Sequence, residues 1–180
     1  MEFSSGKSEK PIEISIILPT NAYFLSGIRD FTLTLAKNLS GFSDQWAYRC
    51  QAVIDELCNN AIEHGSQSDD TIKITFLSLP SDYIEFQVED HGSGKNSLNA
   101  KQMNDMIDEK IRSGVSATNV GFRGRGLSHI VAKWTDELEF IDLSPHGLKV
   151  RARKYLKNNE NGPEKTPLTK FHLMPHFALQ

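Results

Sequence analysis

The chain has no long hydrophobic run. Nothing in its 180 residues approaches the roughly 18 consecutive apolar positions of a membrane span, so no bilayer-crossing helix is expected. The first ten residues are polar, lack the apolar centre of a secretory leader, and read as a flexible N-terminal segment. Cysteine is scarce as well. Cys50 and Cys58 stand eight residues apart on one predicted helix, ~12 Å at the helical rise and too far to bridge. They are expected to be buried thiols in a cytoplasmic protein. Nor is there a surplus of positive charge: 20 Lys and Arg against 23 Asp and Glu leave −3, with no dense basic run. That argues against nucleic acid as a direct partner. No internal repeat is present. What remains, 38% hydrophobic and 24% charged, fits one globular domain long enough for a full α/β core.

The pattern of elements can be read directly. Residues 11–18 alternate and then turn apolar, which predicts a strand. Phe24, Ile28, Phe31, Leu35 and Leu39 recur at helical spacing across 22–39. Gly41 ends that helix, and Ser43-Asp44 offers an N-cap and a first-turn charge for a second helix over 44–64, stopped by Gly65. Residues 71–79 and 83–89 alternate around Pro80-Ser81-Asp82 and predict a hairpin. A short surface helix over 99–112 carries Met103, Met106, Ile107 and Ile111 on one side. A small-residue loop (113–123) and a helix (126–135) follow. A second hairpin pairs 137–143 with 148–155 around Ser144-Pro145-His146-Gly147. The order β α α β β (α) α β β predicts an α/β (α+β) two-layer sandwich, with a mixed, mostly antiparallel sheet covered on one face by helices. The domain should occupy 11–156. Residues 157–180 are polar with proline and glycine, then end in an apolar cluster, Phe171 to Phe177. They read as a flexible tail, with an ordered docking element as the alternative.

Three short clusters carry the chemistry. On the second helix, Trp46, Cys50, Val53, Ile54, Leu57 and Ala61 fall on one arc and should be buried. Glu56 and Asn60 lie about 40° apart on another face, with Glu63 beside them. The pair Asn59-Asn60 is costly inside a helix, so something besides helix stability accounts for it. A carboxamide oxygen suits Mg²⁺, which takes few protein ligands and leaves the rest to phosphate and water. A glutamate one turn earlier could remove a proton from an attacking hydroxyl. Next, Asp90-His91-Gly92-Ser93-Gly94 follows a strand. Asp90 could accept from an exocyclic amine while the glycines let backbone approach a flat ring. This is no P-loop: the first glycine would fall at Glu89, and Asn96 stands where Ser or Thr is needed. Last, residues 121–127 open a helix, whose N-terminal N–H groups favour anions, with Arg123 and Arg125 adding positive charge. They make no Rossmann fingerprint, because His129 takes the third glycine's place. Each cluster alone also fits a solvated helix face or an ordinary turn; the three together, in this order, fit a nucleotide pocket.

Glu56-Leu57-Cys58-Asn59-Asn60-Ala61, Asp90-His91-Gly92-Ser93-Gly94 and Gly124-Arg125-Gly126-Leu127 match E-x-x-x-N-A, D-x-G-x-G and G-x-G-[LF]. In these the chain resembles the GHKL, or Bergerat-fold, ATP-binding superfamily. It is most similar to the bacterial anti-sigma-factor serine/threonine kinases, over about residues 11–156. The resemblance implies ATP and Mg²⁺ as cofactors, Glu56 as general base, Asn60 as metal ligand and Asp90 as adenine reader. It implies that Gly92 and Gly94 shape the base pocket, that Gly124 and Gly126 line the phosphates with Arg123, Arg125 and Leu127 beside them, and that 95–123 form a lid. The lid is longer than this group's compact one, and the tail has no counterpart.

The function so implied is phosphorylation of a STAS-type anti-anti-sigma protein and sequestration of a sigma factor, by a cytoplasmic homodimer. A non-catalytic module, in which ATP occupancy switches partner affinity, would carry the same motifs. A histidine-kinase catalytic domain fits poorly, since only 55 residues precede Glu56 and a strand and helices fill them. A gyrase-like ATPase would need a transducer domain.

Overall fold

The computed structural model describes residues 10–38, 41–112 and 131–156. Five strands form one open sheet in the order β1-β2-β3-β5-β4. They are β1 (Ile12–Pro19), β2 (Thr71–Leu79), β3 (Tyr83–Glu89), β4 (Glu137–Asp142) and β5 (Leu148–Tyr155). All the pairings among the described residues are antiparallel, so the expected mostly antiparallel sheet is present and holds no parallel pair. Connectivity is the reason. β2–β3 and β4–β5 are hairpins, and β1 reaches β2 through a pair of helices. Two helices return the chain to the end where β1 finished, whereas a parallel partner needs a single crossover.

The helical layer is built mainly by α1 (Leu25–Asn38) and α2 (Asp44–Asn60). In α1 the buried stripe is Leu25, Ile28, Thr32, Leu35 and Ala36. Phe24, expected on that stripe, lies instead in a 3-10 turn (Ala22–Phe24) and is 41% exposed, because the α-helical phase starts one residue later. Ser43 caps α2 as expected, accepting from the Trp46 N–H. Cys50, Val53, Ile54, Leu57 and Ala61 are buried; Trp46 is only half-buried. Its ring sits at the margin of the layer, where Arg49 and Lys154 lie 4.5 and 4.3 Å from the centroid. Cys50 and Cys58 are free and buried, and desolvation pushes the Cys50 thiol up to about 12 and the Cys58 thiol up as well.

Between the layers, Phe31 of α1 meets Phe76 edge-on at 4.9 Å, and Phe76 meets Phe86 at 6.0 Å. Strand alternation puts Ile72, Ile74, Ile84 and Val88 on this side. The opposite face carries charge in register: Glu85 is buried between Arg151 and Arg153, which also pair with Glu139 and Glu137.

The predicted 44–64 helix ends sooner than expected. After Asn60 the backbone widens into a single π-turn, Ala61–Gly65, before the chain turns extended at Ser66. α3 (Ala100–Arg112) is present, and α4 (Ala132–Trp134) is the described part of the helix expected over 126–135. The N-terminal segment 1–9, residues 113–130 and the tail 157–180 lie outside the described residues. Among those described, no helix is long and apolar enough to cross a membrane.

Candidate functional site

The alternation that buries Val88 also directs Asp90, two residues on, to the helix-covered side of the sheet. There it is 9% exposed and tightly held. Its Oδ1 accepts from the Gly92 N–H at 2.8 Å and the Leu148 N–H at 3.1 Å. Its own N–H donates to the Leu148 carbonyl at 3.0 Å. Oδ2 faces Gly65, so closely that a Cβ on that glycine would stand 2.1 Å from it. Gly65 is therefore more than a helix stop, since any side chain there would displace the carboxylate. Burial pushes the Asp90 carboxyl above its ordinary range, against the two N–H donors that favour its charge.

Gly92 adopts a φ of +66°, and its backbone lies against that of Gly147 in the β4–β5 turn. Ser93 and Gln67 fasten the loop from outside. The Ser93 hydroxyl donates to Asp70, the Gln67 N–H reaches the same carboxylate at 2.8 Å, and the Gln67 amide donates to the Ser93 carbonyl at 2.9 Å. The Ser93 hydroxyl and the Gln67 N–H hold the Asp70 carboxyl below its usual range.

Asn60 and Glu56 lie one turn apart on α2. Asn60 Nδ2 donates to the Glu56 carbonyl at 2.7 Å and to Glu56 Oε1 at 3.0 Å. With its nitrogen so engaged, Asn60 has Oδ1 left to offer a ligand.

A cavity of about 320 Å³ joins these groups, at the lower end of small-molecule pockets. Its walls are apolar: Leu57 and Ala61 from the α2 side, Val88, Leu148 and Val150 from the sheet, and Met103 and Met106 from α3. Its polar lining includes Asn60 from α2, His64 from the π-turn and Asp90 from the end of β3. A flat aromatic ring with an exocyclic amine fits such a slot, its faces against aliphatic carbon and its amine toward the Asp90 carboxylate. Among the described residues no group of three His, Cys, Asp or Glu side chains could hold a metal. A magnesium ion beside Asn60 would therefore need phosphate oxygens to complete its shell, which is its usual habit.

Glu56 stands beside Asn60 but is not part of the cavity wall. Gly92 lines a neighbouring cavity, and Gly94 packs against the His64 carbonyl. Arg123, Gly124, Arg125, Gly126 and Leu127 lie outside the described residues. The part of the expected lid that is described, 95–112, forms one wall: Met103 and Ile107 are buried in the core. Sequence reasoning missed Gly65, Leu148 and the two methionines as site residues. The methionines showed only an apolar helix stripe, and a backbone N–H leaves no trace in side-chain identity.

The antiparallel sheet layered with helices, with a carboxylate-floored slot between them, is the arrangement of a GHKL-type ATPase domain, an ATP-binding class, and the family match bears this out. The model of the histidine kinase-like ATPase domain matches residues 18–154, and the chain belongs to that family. A search of curated proteins found no significant match.

The two aspartates should titrate in opposite directions. NMR of the side-chain carboxyls should place Asp70 below, and Asp90 above, an ordinary aspartate. For Asp70 the associated stability is present above the unfolded-state pKa and is lost as pH falls through the depressed folded value. For Asp90 the sign reverses: ionisation in the fold opposes stability, and acid relieves that cost as pH falls through the raised value. Co-titration of both at the ordinary value would refute the arrangement.

Proposed function

We propose that this chain is an ATP- and Mg²⁺-dependent serine/threonine protein kinase that acts as an anti-sigma factor in the cytoplasm. It would phosphorylate a STAS-type anti-anti-sigma protein and sequester a sigma factor, working as a homodimer. The observation that carries the nucleotide part is the pairing of a buried, backbone-fixed Asp90 with Asn60 on one otherwise apolar slot. The partners rest on the likeness of the three sequence motifs to those of anti-sigma kinases.

In this reading Asp90 Oδ2 accepts from the adenine amine, and Asn60 Oδ1 ligates magnesium. A magnesium ion held there would supply charge neutralisation on the phosphates, a main contribution to phosphoryl transfer. Glu56 takes the proton of the acceptor serine. Asn60 Nδ2 holds that carboxylate from one side and so orients it.

The same hydrogen bond favours a second reading, a non-catalytic ATP-binding module that switches partner affinity. Glu56 is already occupied by Asn60 and stands off the cavity wall. Glu56→Gln separates the two. The kinase reading expects ATP affinity within about twofold of wild type and phosphoserine formation on the STAS partner reduced by about 10²–10⁴-fold, measured with labelled ATP. Absence of phosphoserine with wild type, or undiminished transfer by the variant, defeats the kinase. Equal control of the sigma factor by both proteins would establish the module.

A further inference from the structure

The start of α3 is a thin partition. Asn96, Ser97, Leu98, Met103 and Met106 line the ATP-type cavity on one side. On the other side Ser97, Leu98, Asn99 and Gln102 line a second, solvent-open cavity of about 330 Å³, bordered by Asp142 and by the β4–β5 turn with His146. The partition therefore faces an open groove on that side, where little packing holds it in position.

Hydrogen bonds take over that task. Asn99 and Gln102 cap the helix reciprocally: the Gln102 N–H donates to Asn99 Oδ1 at 2.9 Å, and the Asn99 N–H to Gln102 Oε1 at 3.0 Å. These bonds are local and would travel with the helix. The bond to Asp142 is not local. Asp142, at the end of β4, reaches across with Oδ1 to accept from the Ala100 N–H at 2.7 Å. Register explains its direction, since Asp142 pairs with Leu148 and so shares the helix-covered face with Leu138 and Phe140. It satisfies a helix N–H that has no partner within the helix, and it ties α3 to the strand pair that also fixes Asp90 through Leu148.

We infer that Asp142 is a positioning residue for the nucleotide base. It latches the first turn of α3 so that Met103 and Met106 stand at a set distance from the sheet, making the slot one ring thick. The inference rests on the reading of the cavity as an adenine-nucleotide site. Asp142 touches no ligand; it acts through the methionine wall, on the base end alone.

Calorimetric titration of the full chain tests this, with Mg·ATP and with base-free Mg·tripolyphosphate as ligands. Asp142→Ala should weaken ATP binding by about tenfold and leave tripolyphosphate binding unchanged. Asp142→Asn keeps an acceptor oxygen and should restore ATP affinity to within about threefold. Met106→Ala should weaken ATP binding too, and the double variant Asp142→Ala/Met106→Ala should be little worse than the weaker single one, since both act through one wall. ATP affinity of Asp142→Ala within about twofold of wild type, equal loss of both ligands, or strictly additive effects would each overturn the inference. Hydrogen exchange over 100–106 without ligand reads the latch by itself: protection should fall in Asp142→Ala, and unchanged protection refutes the latch. Failure of wild type to take up ATP would remove the adenine-site reading and the wall's role with it, whatever the exchange shows.

Discussion

Asp90→Asn should weaken ATP binding by about 100-fold or more while leaving the fold in place. The substitution is nearly isosteric, and the two N–H donors at Oδ1 decide how the new amide sits. Gly92 and Leu148 both present hydrogen to that position, at 2.8 and 3.1 Å, so the carboxamide oxygen must stay there. Its NH₂ is then forced into the place of Oδ2, where an adenine amine would meet a donor instead of an acceptor. Leaving two donors face to face in a site 9% exposed removes the bond and adds a desolvation cost. The same geometry predicts a change of preference. Inosine triphosphate has a carbonyl where ATP has the amine, so the asparagine variant should favour it over ATP. Calorimetry with both nucleotides, with circular dichroism to verify the fold, measures the effect. Unaltered ATP affinity in the variant would show that Asp90 does not read the base.

The second large effect is expected at Gly94, where a methyl group should unfold the site from behind. A Cβ there would stand 2.0 Å from the His64 carbonyl oxygen, 2.7 Å from its carbon and 3.0 Å from the Ser66 nitrogen. All three are backbone atoms, so no rotamer change can make room. The Gly94 N–H also donates to the Gly65 carbonyl at 3.4 Å, and that contact would part as well. Because Gly65 abuts Asp90, the disturbance should reach the carboxylate. Gly94→Ala is expected to cost about 3 kcal/mol of stability and to abolish nucleotide uptake. Gly27→Ala is the matched control. That glycine lies in α1 with nothing within 4 Å of its added Cβ, and alanine should stabilise the helix by up to about 1 kcal/mol. Denaturant unfolding of both variants decides the matter, and equal midpoints for Gly94→Ala and wild type would contradict the packing described here.

Most of the architecture could be read from local pattern, because its signals are short-range. Strand alternation and the Pro80-Ser81-Asp82 turn set β2 and β3 to the residue, and Ser43 marked the start of α2 through a hydrogen bond three residues away. Errors arose where distant parts meet. Phe24 and Trp46 were apolar residues in helical phase, yet one fell into a 3-10 turn and the other onto a margin shared with Lys154, over a hundred positions away. The candidate site divides along the same line. Asp90 and Asn60 carry distinctive chemistry in recognisable company. Gly65, Leu148 and Asp142 take part through close approach, a main-chain donor and a cross-fold bond, none of which has a local signature.

The π-turn at Ala61–Gly65 bears on how far a motif can be trusted. A widened turn holds one more residue than an ordinary helical turn, so it shifts the angular phase of everything after it. Glu56 and Asn60 precede the widened turn, whereas Ala61, His64 and Gly65 lie within it. A chain with the same E-x-x-x-N-A signature but an uninterrupted helix would swing its sixty-fifth position away from the strand carrying Asp90. The consensus letters would survive such a one-residue deletion, and the seat of the carboxylate would not.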